Sequence, residues 1–331
     1  MKVAGIVIEL PKTWQWANCS EVIDVRDGTH ETPKYVSEGY PLVTSKNLKP
    51  DGIDFSTISY ISEKDHLEIS KRSRVDRNDI LFAMIGTIGN PVLVDIDTEF
   101  SIKNVALFKF ANSPIDPRYF RYLLKTRIIE RQLDFEERGG TQKFVSLKVL
   151  RNMKIPYPPL EEQRRIAAIL DKADGVRRKR QEAIRLTEEL LKSTFLEMFG
   201  DPVTNPKGWE IAKLGDFGKI LTGNTPPRSV SENYGDEIEW IKSDNITTPE
   251  HFLTEAEEKL SAKGKKIART VPNGSVLVTC IAGSRSSIGR AALTDREVAF
   301  NQQINAVVPN SDVDPYFLYG QLFVAQHLVQ A

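Results

Sequence analysis

Apolar and polar positions along this chain follow two periods. Short runs at 80–85, 92–96, 105–110, 276–281 and 304–308 are rich in branched and aromatic residues and bounded by Gly, Pro, Asn or Asp, which predicts strands. Positions 119–133 and 316–329 space their apolar residues as helices do, each just after an Asp-Pro pair, Asp116-Pro117 and Asp314-Pro315; proline suits the first position of a helix. Together these predict an α+β domain, twice over. The segment between them differs. Ile155-Pro156-Tyr157-Pro158-Pro159-Leu160 is too proline-dense for a helix interior or a central strand. From Glu161 onward no proline occurs until Pro202, and Ile166, Leu170, Ala173, Val176, Ile184, Leu191, Phe195 and Met198 form a helical stripe broken by Arg180 and Thr187. Glu161 and Glu162 lie where a helix dipole favours acid, and Gly200 where a helix-ending glycine belongs. A helix of roughly 39 residues would be about 58 Å long, more than one small domain covers, so a coiled-coil or bridging helix is expected. The run Arg177-Arg178-Lys179-Arg180 suits a solvated face with intrahelical pairs, with a DNA-backbone contact as the alternative.

The two flanking stretches repeat one another. Pro11-Lys12-Thr13-Trp14 recurs as Pro206-Lys207-Gly208-Trp209, and the loop Asp27-Gly28-Thr29-His30-Glu31-Thr32-Pro33 as Thr222-Gly223-Asn224-Thr225-Pro226-Pro227-Arg228. Pro41 to Leu48 lines up with Glu239 to Ile246, and Asp79 to Gly86 with Ser275 to Gly283. Gly89 matches Gly289, and Asp116-Pro117 with Tyr119 and Phe120 matches Asp314-Pro315 with Tyr316 and Phe317. A colinear series with so long a period describes two whole domains rather than a solenoid.

Composition adds limits. The 331 residues are 40% hydrophobic and 27% charged, an ordinary soluble balance. Forty-five basic and 45 acidic side chains leave a formal net charge of zero. Neutrality neither advertises a nucleic-acid binder nor excludes one with a basic face. Cys19 and Cys280 are expected to be free thiols in a reducing cytoplasm. Neither a signal peptide nor a membrane-length apolar run is present, so a cytoplasmic protein without membrane association is expected.

Pro156-Tyr157-Pro158-Pro159-Leu160-Glu161-Glu162-Gln163-Arg164-Arg165-Ile166 resembles the central region of the specificity (S) subunits of type I restriction-modification systems. The stretch Gly139 to Ser146, the openings at Trp14 and Trp209 and the two glycine loops resemble that family too, so the likeness covers essentially the whole chain. It implies a first target-recognition domain at 1–155, a proline-rich lead-in and long spacer helix of coiled-coil type at 156–200, and a second target-recognition domain at 201–331. Each domain would read half of a bipartite double-stranded DNA target. The helix would set the unread gap and dock modification subunits that methylate adenine; a restriction subunit completes the complex. S-adenosylmethionine, ATP and Mg are expected on those partners and no cofactor on this chain. The second domain stops inside the helix opened near Tyr316, without the family's second long helix. Since exposed apolar surface is unfavourable, the stripe from Ile166 to Met198 is expected to meet partner subunits or a second S-type chain, or else the chain is a truncated product or its second half folds weakly.

A non-catalytic subunit should lack catalytic motifs. Thr225-Pro226-Pro227-Arg228 departs from the Asn/Asp-Pro-Pro-aromatic methyltransferase signature, no phosphate loop occurs, and His30, His66, His251 and His327 are scattered. Base edges are read by Arg, Lys, Asn, Gln, Ser and Thr, and phosphates by cations and backbone amides. On that basis the DNA-contact candidates of the first domain are Thr29, His30, Lys34, Thr44, Ser45, Lys46, Asn47, Lys103, Asn104, Gln142 and Lys143. In the second they are Asn224, Thr225, Arg228, Lys242, Ser243, Asn245, Ser284, Arg285, Arg290, Asn301, Gln302 and Gln303. Asn47 and Asn245 also suit turn-stabilising roles, whereas Asn301-Gln302-Gln303 are amides poorly suited to a core. The alternative to a DNA reader is a truncated or regulatory S-type fragment acting through its helix as an assembly or exchange partner.

Overall fold

The computed structural model describes residues 2–3, 6–7, 9–133, 136–138, 142–246 and 250–330, of which 2–3, 6–7, 136–138 and 142–143 are described by backbone alone. Backbone proximity divides the chain into two units, Met1–Arg177 and Arg178–Ala331.

In the first unit, Gly89–Leu93, Ile80–Ala83, Val105–Lys109 and Asp24–Asp27 form an antiparallel sheet in that order, with Ile80 opposite Phe108 and Ala106 opposite Asp27. All four residues of Ile80–Ala83 are buried, because both faces of the sheet are covered. Ile80 and Phe82 join Phe108, Phe120, Leu150 and Ile155 on one side. Leu81 and Ala83 join Leu107, Ile102 and Val43 on the other. This is why the strand reads as a continuous apolar run instead of alternating. A second sheet orders Ser101–Ile102, Tyr40–Val43, Ser59–Ile61 and Tyr35–Val36, its first two strands parallel.

The second unit repeats the plan. Gly218–Thr222, Ile304–Pro309, Val276–Thr279 and Ala291–Leu293 form the antiparallel sheet. In the mixed sheet Val298–Phe300 runs parallel to Tyr234–Ile241, which pairs antiparallel with Lys259–Leu260. Val276 and Val278 face Leu318 and Tyr319, while Leu277 faces Phe300 and Ile241. The copies differ in the fourth strand of the mixed sheet. Tyr35–Val36 sits beside Ser59–Ile61, whereas Thr270–Val271 sits beside Val298–Phe300, at the opposite edge.

Both expected helices after Asp-Pro form, but each is interrupted. Pro117–Leu123 is capped by the Asp116 carboxylate, which accepts from the backbone N–H groups of Arg118 and Tyr119. The Thr126 hydroxyl then donates to the Leu123 carbonyl at 2.7 Å, and a short helix Arg127–Glu130 starts anew. Pro315–Val324 is capped by Asp314 and followed by Gln326–Val329. The helix Glu63–Ser73, capped by Ser62, carries only a weak apolar stripe and was not expected.

The long helix runs Leu160–Phe199, 40 residues. Its first turn is locked to the first unit by Gln163, which is 1% exposed. Gln163 Oε1 accepts from the Asp116 N–H at 2.8 Å, and Nε2 donates to the Pro158 and Pro114 carbonyls. Trp14 Nε1 donates to Glu162 at 3.2 Å. At the far end Gly200 adopts φ +83°, the left-handed cap glycine permits. Trp209 Nε1 donates to the Phe199 carbonyl at 2.8 Å and Lys207 Nζ to that of Met198 at 2.9 Å, satisfying acceptors the helix leaves open. Of the stripe, Ile166 packs on the first unit's core, and Phe195 meets Phe199 and Phe317 within the second unit. A Cβ on Gly320 would lie 2.3 Å from the Phe195 ring, so glycine permits that packing. Ala173 is exposed and Ile184 half-buried; Leu170, Val176, Leu191 and Met198 are exposed, as are Ile169, Leu186 and Leu190.

Candidate nucleic-acid interface

Three loops converge in each unit, in the same way. The first carries a glycine over the end of a strand of the mixed sheet. A Cβ on Gly28 would lie 2.2 Å from the Ile102 carbonyl oxygen, and one on Gly223 2.2 Å from that of Asn301. Glycine is required at both places by this close approach. The next residues hydrogen-bond there: Thr29 N–H to the Ile102 carbonyl at 3.0 Å, and Asn224 N–H to that of Phe300 at 3.1 Å. The second loop is a turn of 3-10 helix, Ser45–Asn47 or Ser243–Asn245. The third follows the parallel strand. Lys103 N–H donates to the Val43 carbonyl at 2.9 Å and Asn301 N–H to that of Ile241 at 3.0 Å.

In the first unit this gathers Thr29, His30, Ser45, Lys103 and Asn104. His30 lies 2.9 Å from Asn104 Oδ1 through Nδ1 and 2.8 Å from Asp27 Oδ2 through Nε2. Asp27 is buried and also pairs with Arg72. Ser45 donates to the Asn104 carbonyl at 3.3 Å, Lys103 Nζ donates to Thr32, and Asn104 takes φ +54°. Thr44 and Asn47 serve the turn: Asn47 Oδ1 accepts from Thr44 N–H and Oγ1, and Nδ2 donates to the Asp54 carbonyl. With 6% exposure, Asn47 shapes the loop and does not present its amide outward. Lys34 and Lys46 are exposed on the first two loops. Gln142 and Lys143 lie on the strand Gln142–Phe144, but their side chains, and Gly139 to Thr141, fall outside the described residues.

In the second unit Asn224, Thr225, Asn301, Gln302 and Gln303 come together. Thr225 donates to Gln302, and Asn301 Nδ2 donates to Gln303 Oε1 at 3.0 Å. Asn224 Oδ1 accepts from Arg269 N–H. Within the amide run Asn301 is 7% exposed and braces its own loop, as Asn245 at 8% braces the turn. Gln302 is exposed, Gln303 and Ser243 half-buried. Arg228 grips Glu258 with both terminal nitrogens, at 3.0 and 3.1 Å, and Lys242 pairs with the same carboxylate. Partial burial works against ionisation of Glu258, but the bonds from Lys242 and Arg228 outweigh it and hold its carboxyl below the usual range. Ser284, Arg285 and Arg290 lie on the hairpin after Val276–Thr279. Ser284 bonds Ser286 and Ser287, Arg285 donates to the Gln330 carbonyl, and Arg290 lines a cavity of about 60 Å³ with Glu188, His251 and Tyr319. The same hairpin meets the third loop through its backbone, the N–H groups of Cys280 and Ile281 donating to the Gln303 carbonyl at 2.8 and 3.1 Å.

Asp27, Arg72, Tyr234, Trp240 and Glu258 were missed by sequence reasoning, because the partners described above lie up to 45 residues away along the chain and no local spacing announces them. Among the described residues no group of three or more His, Cys, Asp or Glu is placed to hold a metal, and no helix is long and apolar enough to cross a membrane. Both cysteines are free thiols.

A model of the type I restriction modification DNA specificity domain matches residues 11–186 and again 206–331. The chain is 26% identical over 257 residues to a Methanocaldococcus jannaschii protein named as a type I restriction enzyme MjaX specificity subunit, covering 71% of this chain and 60% of that one. It is 35% identical over 119 residues to the type I restriction enzyme HindI specificity subunit of Haemophilus influenzae, covering 35% of this chain and 25% of that one. It thus spans 60% or less of the length of these relatives. The crystal structure of a type I restriction-modification system S subunit from M. genitalium shares the fold, with a TM-score of 0.55 at 14% identity over 99% of this chain and 81% of that one. Two matched copies of one domain, a repeated sheet plan and a long helix between them in the chain have one explanation: the chain belongs to the type I restriction modification DNA specificity domain family.

Proposed function

We propose that this chain is the non-catalytic DNA reader of a type I restriction-modification complex in the cytoplasm. Residues 1–155 and 201–331 would each read half of a bipartite target, and the helix of 156–200 would set the gap and dock modification subunits carrying S-adenosylmethionine. A restriction subunit using ATP and Mg would complete the assembly. One observation carries this reading: both units build the same three-loop cluster at the same corner of the same pair of sheets. The loops present different side chains there, His30, Lys103 and Asn104 in one and Arg228, Lys242 and Gln302 in the other. A shared scaffold with divergent polar loops suits readers of two different half-sites. The similarity to proteins named as specificity subunits supports the same reading.

The test is selection from a pool of randomised duplexes by the full chain assembled with its modification subunits. Two short preferred blocks separated by a gap of constant length are expected. Recovery of unselected sequence, with equal affinity for all duplexes, would sink the proposal.

A further inference from the structure

Among the described residues, the second unit stacks two cations on aromatic rings beside a shared carboxylate, at positions where the first unit has other residues. Arg228 lies over the rings of Tyr234 and Trp240, 5.4 Å from each centroid, while Lys242 lies 5.2 Å from the Trp240 centroid. Both cations converge on Glu258. The platform is rigid. Trp240 is 3% exposed, its Nε1 donates to the Asn224 carbonyl at 3.3 Å, and its backbone N–H donates to the Glu258 carbonyl at 3.0 Å. Tyr234 donates to the Pro226 carbonyl at 2.8 Å and Asn233 Nδ2 to that of Pro227 at 3.1 Å. The whole loop from Thr222 to Arg228 is thus pinned to the strand beneath it. Where the second copy has Trp240 and Lys242, the first has Leu42 and Thr44.

Glu258 offers Arg228 two oxygens side by side, an acceptor pair that a forked guanidinium matches. A guanine presents a comparable pair, O6 and N7, in the major groove. The Arg228 side chain is 60% exposed, so another acceptor pair can reach it, and exposed ion pairs are weak enough to exchange. We propose that Glu258 is a specificity gate, a stand-in for guanine that holds Arg228 aimed and Lys242 neutralised until a matching base edge replaces it. The inference rests on the DNA-reading function proposed above. Its physical consequence is negative as much as positive. A carboxylate beside two cations repels phosphate, so DNA that cannot satisfy Arg228 gains little from it.

The experiment compares the wild-type chain with Glu258→Gln, Arg228→Ala and the triple variant Glu258→Gln, Arg228→Ala, Lys242→Ala against its Arg228→Ala, Lys242→Ala parent. All are measured in the same assembly, with thermal melts to confirm folding. Each is run through the randomised-duplex selection and titrated with an unselected duplex over a salt series. Glu258→Gln should tighten binding to unselected DNA about fivefold or more and steepen the salt dependence by about 0.9 in log–log slope, one fewer repelling charge. Arg228→Ala should erase a guanine preference at one position. Adding Glu258→Gln to the double-alanine parent should change little, because the gate acts through those two cations. Three results would overturn the gate: Glu258→Gln indistinguishable from wild type, the same Glu258→Gln effect without Arg228 and Lys242, or uniform weakening by Arg228→Ala without a lost base preference. A wild-type assembly that selects no sequence at all would instead overturn the DNA-reading function itself, and the gate with it.

Discussion

Gly28 and Gly223 occupy the same point in the two copies, each with a carbonyl oxygen 2.2 Å from where a Cβ would stand. Neither has a positive φ, so the requirement is for space and not for backbone freedom. Ala at either place must push the loop off its strand, at a cost of about 1–3 kcal/mol of overpacking, and should loosen the adjoining Thr29 or Asn224 hydrogen bond. Urea unfolding and amide exchange at those residues would show it; an unchanged midpoint would mean that the loop yields freely. Cys19 is fully enclosed, and burial raises its thiol pKa to about 12. It should resist alkylation in the native state at pH 8, and react once urea unfolds the chain; mass spectrometry of the labelled peptide reads this directly. These glycines were visible in the sequence as loop markers. Their reason was not, since the carbonyl each approaches lies more than seventy residues further along.

The long helix was legible as an element because nothing local opposes it. A proline-free span, acidic residues at its start and a glycine at its close agree with the observed Leu160–Phe199. The job of Gln163 was hidden inside the same motif. Its amide joins three backbone groups, of Asp116, Pro114 and Pro158, and so fixes the first turn of the helix within the first unit. Gln163→Leu keeps the volume and strands those buried groups, a loss of about 1–3 kcal/mol for each one that stays unsatisfied. The first unit's unfolding transition should fall accordingly, and a variant as stable as wild type would refute the assignment. The apolar stripe was readable by period, yet its fate differs along its length. Ile166 and Phe195 are used within the chain, whereas Val176 and Leu191 are exposed at 68% and 45%. The interruptions at Thr126 and Ala325 were illegible, since apolar spacing continues across both breaks.

For the molecule as a whole, duplication is the organising fact. Each unit has an antiparallel sheet, a mixed sheet containing one parallel pair, and an Asp-Pro-capped helix. If the long helix sets the gap between two half-sites, inserting four residues near Gln181 lengthens it by about 6 Å. That should widen the unread gap in the selected duplexes by one or two base pairs at ~3.4 Å each, leaving both preferred blocks intact. An unchanged gap would remove the helix from that role. Chain order alone was enough for the repeat, the α+β class, the long helix and the family, because these depend on local periodicity and on motifs read in sequence. Tertiary structure alone decided which polar loop residues serve the fold and which face outward. Asn47, Asn245 and Asn301 are buried braces, while Arg228 and Lys242 meet over Trp240 at a carboxylate. The reason is that a side chain's partners are set by which strands lie side by side, and strand neighbours such as Ser101–Ile102 and Tyr40–Val43 are separated along the chain by more residues than any local pattern spans.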